Sequence, residues 1–195
     1  MEIEIRKLAP AMAEEYVRFF DVTPHDVNVD EQKCYCVTWR SDASYANAGH
    51  WFPTREERRA RAIEFVQNGW LQGYLAYCGE RIVGWCNANA DCRMGLDYLR
   101  AFWPLEETDA SVRVKSVFCF VVAPDVQRQG VATKLLERVI EDAAADGFDF
   151  VEAYVNKEYV HENHDFRGPL AMFLKCGFDI CAERDGKVVV RKALK

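Results

Sequence analysis

The spacing of apolar positions changes repeatedly along the chain, and each change marks an expected element. Glu2-Ile3-Glu4-Ile5-Arg6-Lys7-Leu8 alternates polar and apolar residues, as a half-exposed strand does. Pro10 opens a helix to about Phe20, with Met12, Tyr16, Phe19 and Phe20 on one side. Residues 21–30 are a polar break, 34–39 a short extended piece, and 41–53 a loop holding Tyr45, His50, Trp51 and Phe52. Thr54 and Glu57 have the spacing of a capping box before a charged helix that ends near Gly69. Residues 71–78 and 82–90 read as two strands of a hairpin, joined by Gly79-Glu80-Arg81. Residues 91–109 read as irregular.

The stretch from Val117 to Leu136 organises the second half. Val117-Phe118-Cys119-Phe120-Val121-Val122 is continuously apolar and rich in β-branched and aromatic types, which predicts a strand buried on both faces. Pro124-Asp125 breaks the run. A helix follows, with its core stripe at Val131, Leu135, Leu136, Val139 and Ile140. Gly130 and Ala132 sit at its entrance, where small side chains let a ligand approach the free backbone N–H groups. Those groups and the helix dipole favour an anion by roughly 0.3–1 kcal/mol, and by up to ~2 kcal/mol when partly buried. Residues 148–156 read as the neighbouring strand and 157–168 as an insert with two histidines. Pro169 starts a short helix, and a last hairpin turns at Asp185-Gly186.

Composition narrows the classes. A chain of 195 residues, half of them hydrophobic, suffices for one full core, so a single domain over 1–195 is expected. The net charge of −6 argues against nucleic acid as a partner and is compatible with a cationic or amine substrate. No run of 18 apolar residues appears, so no membrane span is expected. The first residues lack the apolar core of a signal peptide, which points to the cytoplasm. Eight cysteines are present, but Cys34-x-Cys36, with His25 and His50 as helpers, is poor zinc spacing, so no metal is expected. Cys78, Cys86, Cys119 and Cys176 lie in apolar runs and read as small buried hydrophobes.

Gln127-x-x-Gly130-x-Ala132 after a hydrophobic strand resembles the acyl-CoA pyrophosphate loop of the GNAT N-acetyltransferases. The resemblance extends to Asn156 at the end of the next strand and to Leu174-Lys175-Cys176-Gly177-Phe178, and it covers about half the chain. It implies an α/β fold: a central mixed, mostly antiparallel sheet of about seven strands with helices on both faces. It also implies transfer of an acetyl group from acetyl-CoA to a primary amine by direct attack in a ternary complex, in a monomer or homodimer. The acceptor would be a small-molecule amine or a peptide. Two other readings stay open: a catalytically silent acyl-CoA sensor and a cysteine-rich interaction module.

The resemblance also implies a site. Gln127, Arg128, Gln129, Gly130, Val131, Ala132 and Thr133 would take the pyrophosphate. Phe120, Val121 and Val122 would pair with the pantetheine arm where the core strand diverges from its neighbour beyond Val122, with an N–H near Val121 as oxyanion donor. Asn156 and Phe173 complete the cofactor set. Phe173 stands where many members have a proton-donating Tyr, and Ser116 where one branch has a Glu base. Tyr154, Tyr159, water or nothing would then protonate the leaving sulfur. Glu152 is either a base or a solvent-facing strand residue, and His161 and His164 either a relay or loop residues. Tyr35, Trp39, Trp51 and Phe52 either wall the acceptor pocket or fill the core beneath a long loop.

Overall fold

A computed structural model describes residues 2–24, 33–39, 54–90, 93–105, 109, 111–160 and 165–195. Seven strands form one sheet: β1 (Glu4–Lys7), β2 (Gly73–Cys78), β3 (Arg81–Asn89), β4 (Val114–Val122), β5 (Phe150–Asn156), β6 (Asp179–Arg184) and β7 (Lys187–Ala193). Their order is β1-β2-β3-β4-β5-β7-β6. Every neighbouring pair is antiparallel except β4 and β5. A parallel pair needs a crossover, which helix α4 (Val131–Ala145) supplies. Helices α1 (Ala13–Val22), α2 (Arg55–Gln67), α3 (Arg93–Arg100) and α5 (Leu170–Lys175) are the other α-helices among the described residues.

The sheet separates two hydrophobic cores. One packs Tyr16, Phe20, Phe65, Trp85, Phe118 and Tyr154 under α1 and α2. The other packs Val117, Phe120, Leu135, Leu136, Val155 and Phe173 under α4 and α5. Helix α4 comes close to β3 because residue 84 is glycine. A Cβ there would lie 2.9 Å from Val131 Cγ1 and 3.3 Å from Leu135 Cδ1.

Local signals in the sequence hold where chemistry is local. The capping box at α2 forms: the Glu57 N–H donates to Thr54 Oγ1 at 3.1 Å, and the Thr54 N–H donates to Glu57 Oε2 at 3.1 Å. The last hairpin turns through Asp185 and Gly186 at φ 51° and 72°, the left-handed pair of a type I′ turn.

Four expectations change. Residues 34–39 are not extended: Tyr35 and Cys36 take φ of 48° and 57°, and Val37–Trp39 is one 3-10 turn. Side-chain bonds fix this conformation, Tyr16 OH to the Tyr35 carbonyl at 2.8 Å and Tyr35 OH to Asp21 Oδ1 at 2.6 Å. Within 91–109, α3 forms and buries Leu99, with Leu96 packed against the same core. Gly95, a poor helix former, had obscured that short i, i+3 pair. Cys86 and Cys119 are buried as expected, but Cys78 and Cys176 are only half-buried.

The fourth change shapes the site. Asn87 pairs with Cys119 and Ala88 with Val117, so Phe118 is an extra residue in β4. Such a bulge bends the strand and resets which face each later residue takes. Pairing of β4 with β5 accordingly ends at Val117 and Ala153, not beyond Val122.

Lys115 on β4 is 5% exposed, its Nζ 5.4 Å from the Phe148 ring. Burial, with the Lys7 charge adding to it, lowers its pKa from 10.5 to about 8. Between these values the unfolded chain holds a proton that the folded chain has released, so this group makes stability rise with pH across that window. Lys115→Met is expected to stabilise the protein at pH 7 by up to about 3 kcal/mol and to flatten the rise between pH 8 and 10.5. Urea unfolding of both proteins at pH 7 and pH 10 checks the sign.

Candidate active site

Beyond the bulge, alternation along β4 divides its backbone between two edges. The Ala123 N–H donates to the Val83 carbonyl at 2.9 Å, and Val121 is paired with Trp85, so the N–H groups of 121 and 123 face β3. Phe120 and Val122 therefore present theirs to the gap left by β5. Of the strand N–H groups near Val121, those of Phe120 and Val122 are thus the ones on the gap side. The bulge, invisible to a strict period of two, is the reason.

The turn into α4 lies at the end of this edge. A bidentate ion pair between Arg81 and Asp125, at 2.6 and 2.7 Å, ties the 3-10 turn Pro124–Val126 to the start of β3. Gln127 Nε2 donates to the Val122 carbonyl and Gln129 Nε2 to the Asp125 carbonyl, both at 3.3 Å. These glutamines therefore shape the loop by binding its own carbonyls. Arg128 and Gly130 take φ of 61° and 82°. Gly130 is the N-cap of α4 and supplies no side-chain cap. The first regular bond runs from the Lys134 N–H to the Gly130 carbonyl at 3.0 Å, so the N–H groups of Val131, Ala132 and Thr133 have no partner inside the helix.

Those groups open into a cleft of about 440 Å³. Phe120, Val122, Gln127, Arg128, Gly130, Val131, Ala132 and Thr133 line it, which is most of the set expected to hold the cofactor. Four of that set lie elsewhere. Val121 points into the opposite core. Gln129 folds back on its own loop. Asn156 donates to Asp165 and accepts from Lys187 Nζ at 2.6 Å. Phe173 is fully buried behind Phe120, with ring centroids 6.3 Å apart.

The opposite wall comes from residues the sequence reading passed over: Asp165, Phe166, Gly168, Pro169 and Met172. Met172 belongs to α5 itself, and the first four to a strap between β5 and α5. Its signal was the extra length between Asn156 and the last short helix, which gives no hint of where the segment folds. The Phe120 N–H donates to the Phe166 carbonyl at 2.7 Å, which fixes the strap against the β4 edge. Gly168, at φ 88°, admits the close approach. A Cβ there would lie 2.9 Å from Met172 Cε and 3.3 Å from Phe173 Cε2.

Of the proton-transfer candidates, Tyr159 lines the cleft and is 42% exposed. Tyr154 is fully buried; it donates to Glu152 Oε1 at 2.8 Å and contacts Ser116 Oγ at 3.0 Å. Burial, reinforced by the Glu152 carboxylate, pushes its phenol well above its ordinary pKa and makes it a poor acid. Glu152 is not solvent-facing, being 5% exposed. It stands directly opposite Arg191 on β7, whose Nε donates to Oε2 at 2.7 Å. That ion pair and the Tyr154 bond occupy the carboxylate structurally. Tyr35 is fully buried, and Trp39 stacks on Phe118 at 5.2 Å. Trp51, Phe52, His50, His161 and His164 lie outside the described residues. Among the described residues, no group of three or more His, Cys, Asp or Glu is placed to hold a metal ion. No helix among them is long and apolar enough to cross a membrane.

Solved structures share this fold. The GNAT domain of PAT from S. lividans aligns over 98% of this chain and 90% of its own, with a TM-score of 0.58 at 16% identity. A GNAT-family acetyltransferase from Streptococcus pneumoniae aligns over 100% of both chains, with a TM-score of 0.55 at 20% identity. YncA from Salmonella typhimurium, solved with its cofactor acetyl-CoA, aligns over 99% of this chain and 94% of its own, with a TM-score of 0.55 at 14% identity. At such identities these likenesses speak for the fold alone. No curated protein matches the sequence significantly. The sequence profile of the acetyltransferase (GNAT) family matches residues 36–178, well over half of the chain, and the protein therefore belongs to the GNAT acetyltransferase family.

Proposed function

We propose that the protein is an acetyl-CoA-dependent N-acetyltransferase acting on a primary amine by direct attack in a ternary complex. The observation that carries this reading is the uncapped first turn of α4 at the floor of a cleft whose side is the β4 edge beyond its last pairing with β5. The residues present fit the cofactor. Three helix N–H groups, with Gly130 and Ala132 leaving their approach clear, suit a diphosphate. The Val122 N–H on the β4 edge suits an extended chain of amides. Phe120, Val131 and Met172 give the cleft apolar walls.

Acetyl-CoA supplies the thioester: the C–N bond forms as C–S breaks, the nitrogen gives up a proton and the sulfur leaves as a thiol. Tyr159 is the one phenol among the described cleft residues and is our candidate to protonate that sulfur. Phe173 carries no acidic proton and sits behind the wall. The acceptor identity in this reading is an amine of a small molecule or peptide. A soluble cytoplasmic protein, monomeric or dimeric, accords with the sequence.

Two substitutions test the reading. Gly130→Glu is expected to abolish acetyl-CoA binding, because a carboxylate would stand where the diphosphate rests. Gly130→Ala carries only the left-handed backbone strain, about 1 kcal/mol, and is expected to retain binding. Calorimetric titration with acetyl-CoA separates the two, and unchanged affinity in Gly130→Glu would discard the assignment. Tyr159→Phe is expected to lower kcat by about a hundredfold while leaving acetyl-CoA affinity within a few-fold. Steady-state kinetics with free-CoA detection reads that split.

A further inference from the structure

The gap between β4 and β5 is closed by a cation held among aromatic rings. The Arg167 guanidinium carbon lies 4.4 Å from the Trp103 ring centroid, 4.4 Å from Phe166 and 5.5 Å from Trp39. Arg167 is 8% exposed, so its charge is largely withdrawn from water. The box is built from both sides of the gap. Trp103 is fixed by its Nε1–H to the Val155 carbonyl of β5 at 3.1 Å. Phe166 is fixed by its carbonyl to the Phe120 N–H of β4. Trp39 is fixed by stacking on Phe118, the bulged residue. Phe166 also lines the cleft, so the box and the cleft share a wall. Its rim is polar and linked: Asp165 accepts from Asn156, and Asn156 accepts from Lys187, whose Nζ lies 4.7 Å from the Trp103 ring.

We infer that this box is the cation site of the acceptor and that Arg167 is its built-in occupant. The inference rests on the acetyl-transfer reading above. A ring face attracts a cation through its quadrupole, and several faces around one charge make a site selective for cations over neutral groups of the same shape. The nitrogen that attacks a thioester must be neutral, so the cation in the box is not the reacting nitrogen. The acceptor class that fits is therefore an amine bearing a second group that is cationic at neutral pH, such as a diamine, a polyamine or a basic peptide side chain beside an amine. The strap places a carbonyl on the Phe120 N–H and a guanidinium in the box, the two groups that a thioester and such an acceptor would bring. Binding of the acceptor displaces the Arg167 side chain from the box.

The test uses a cation that cannot be acetylated on nitrogen. Choline and its neutral isostere 3,3-dimethylbutan-1-ol are titrated into the full chain and into Arg167→Ala, with tryptophan fluorescence as the readout. Emptying the box is expected to tighten choline binding on the order of tenfold and to leave the alcohol unchanged. Arg167→Gln, shorter and neutral, gives the same comparison if the alanine variant does not fold. Equal affinities for choline and the alcohol in the variant, or no difference between variant and parent, would overturn the inference. Acetyl-CoA calorimetry on the parent protein reports on the underlying function separately, since choline binding needs no thioester.

Discussion

One extra residue in one strand governs the site. Because Phe118 has no counterpart on β3, β4 bends away from β5 after four paired residues. A continuous parallel ladder would have sealed this edge with main-chain bonds. The bend leaves the gap edge of Phe120 and Val122 to other partners, and it turns the Phe120 side chain to the α4 core while Val121 faces the other. It also aims the chain at the Pro124 turn, so that the strand edge and the start of α4 open into the same cleft. The cleft is thus a consequence of sheet geometry, and the N–H groups of the α4 terminus lie at one end of it.

Holding a gap open in a sheet requires that its edges be satisfied in some other way. Buried N–H and C=O groups left unpaired cost about 1–3 kcal/mol each. The protein meets this requirement with side chains and the strap, not with another strand. Trp103 binds the Val155 carbonyl, the Phe166 carbonyl takes the Phe120 N–H, and Gln127 takes the Val122 carbonyl. All three are single, local contacts that a ligand with matching groups can replace. A ladder bond, locked to its neighbours along the strand, is much harder to exchange.

The charges follow the same division between scaffold and site. The buried Glu152 and the part-buried Arg191 form a cross-strand pair that joins β5 to β7 beneath the gap. Removing Arg191 would leave a buried carboxylate without its countercharge, which is why that carboxylate is better understood as framework than as a base. The Arg81–Asp125 pair is exposed on both sides and contributes little energy. Its value lies in geometry, since it fixes the turn from which the α4 amides project.

What the sequence determined by itself was everything set by neighbours a few residues apart. The apolar run of β4, the small residues at the head of α4, the Thr54–Glu57 cap and the Asp185-Gly186 turn all act over less than about two turns of helix, and each formed as expected. The tertiary structure decided the rest. The bulge at Phe118 exists only in register with β3, and the burial of Glu152 only when β7 lies beside β5. The aromatic box needs Trp39, Trp103 and Phe166 from three separate segments. Periodicity reports the environment of each residue along its own element. It carries no information on which distant strand pairs with that element, or where the pairing stops, and here the stopping point makes the site.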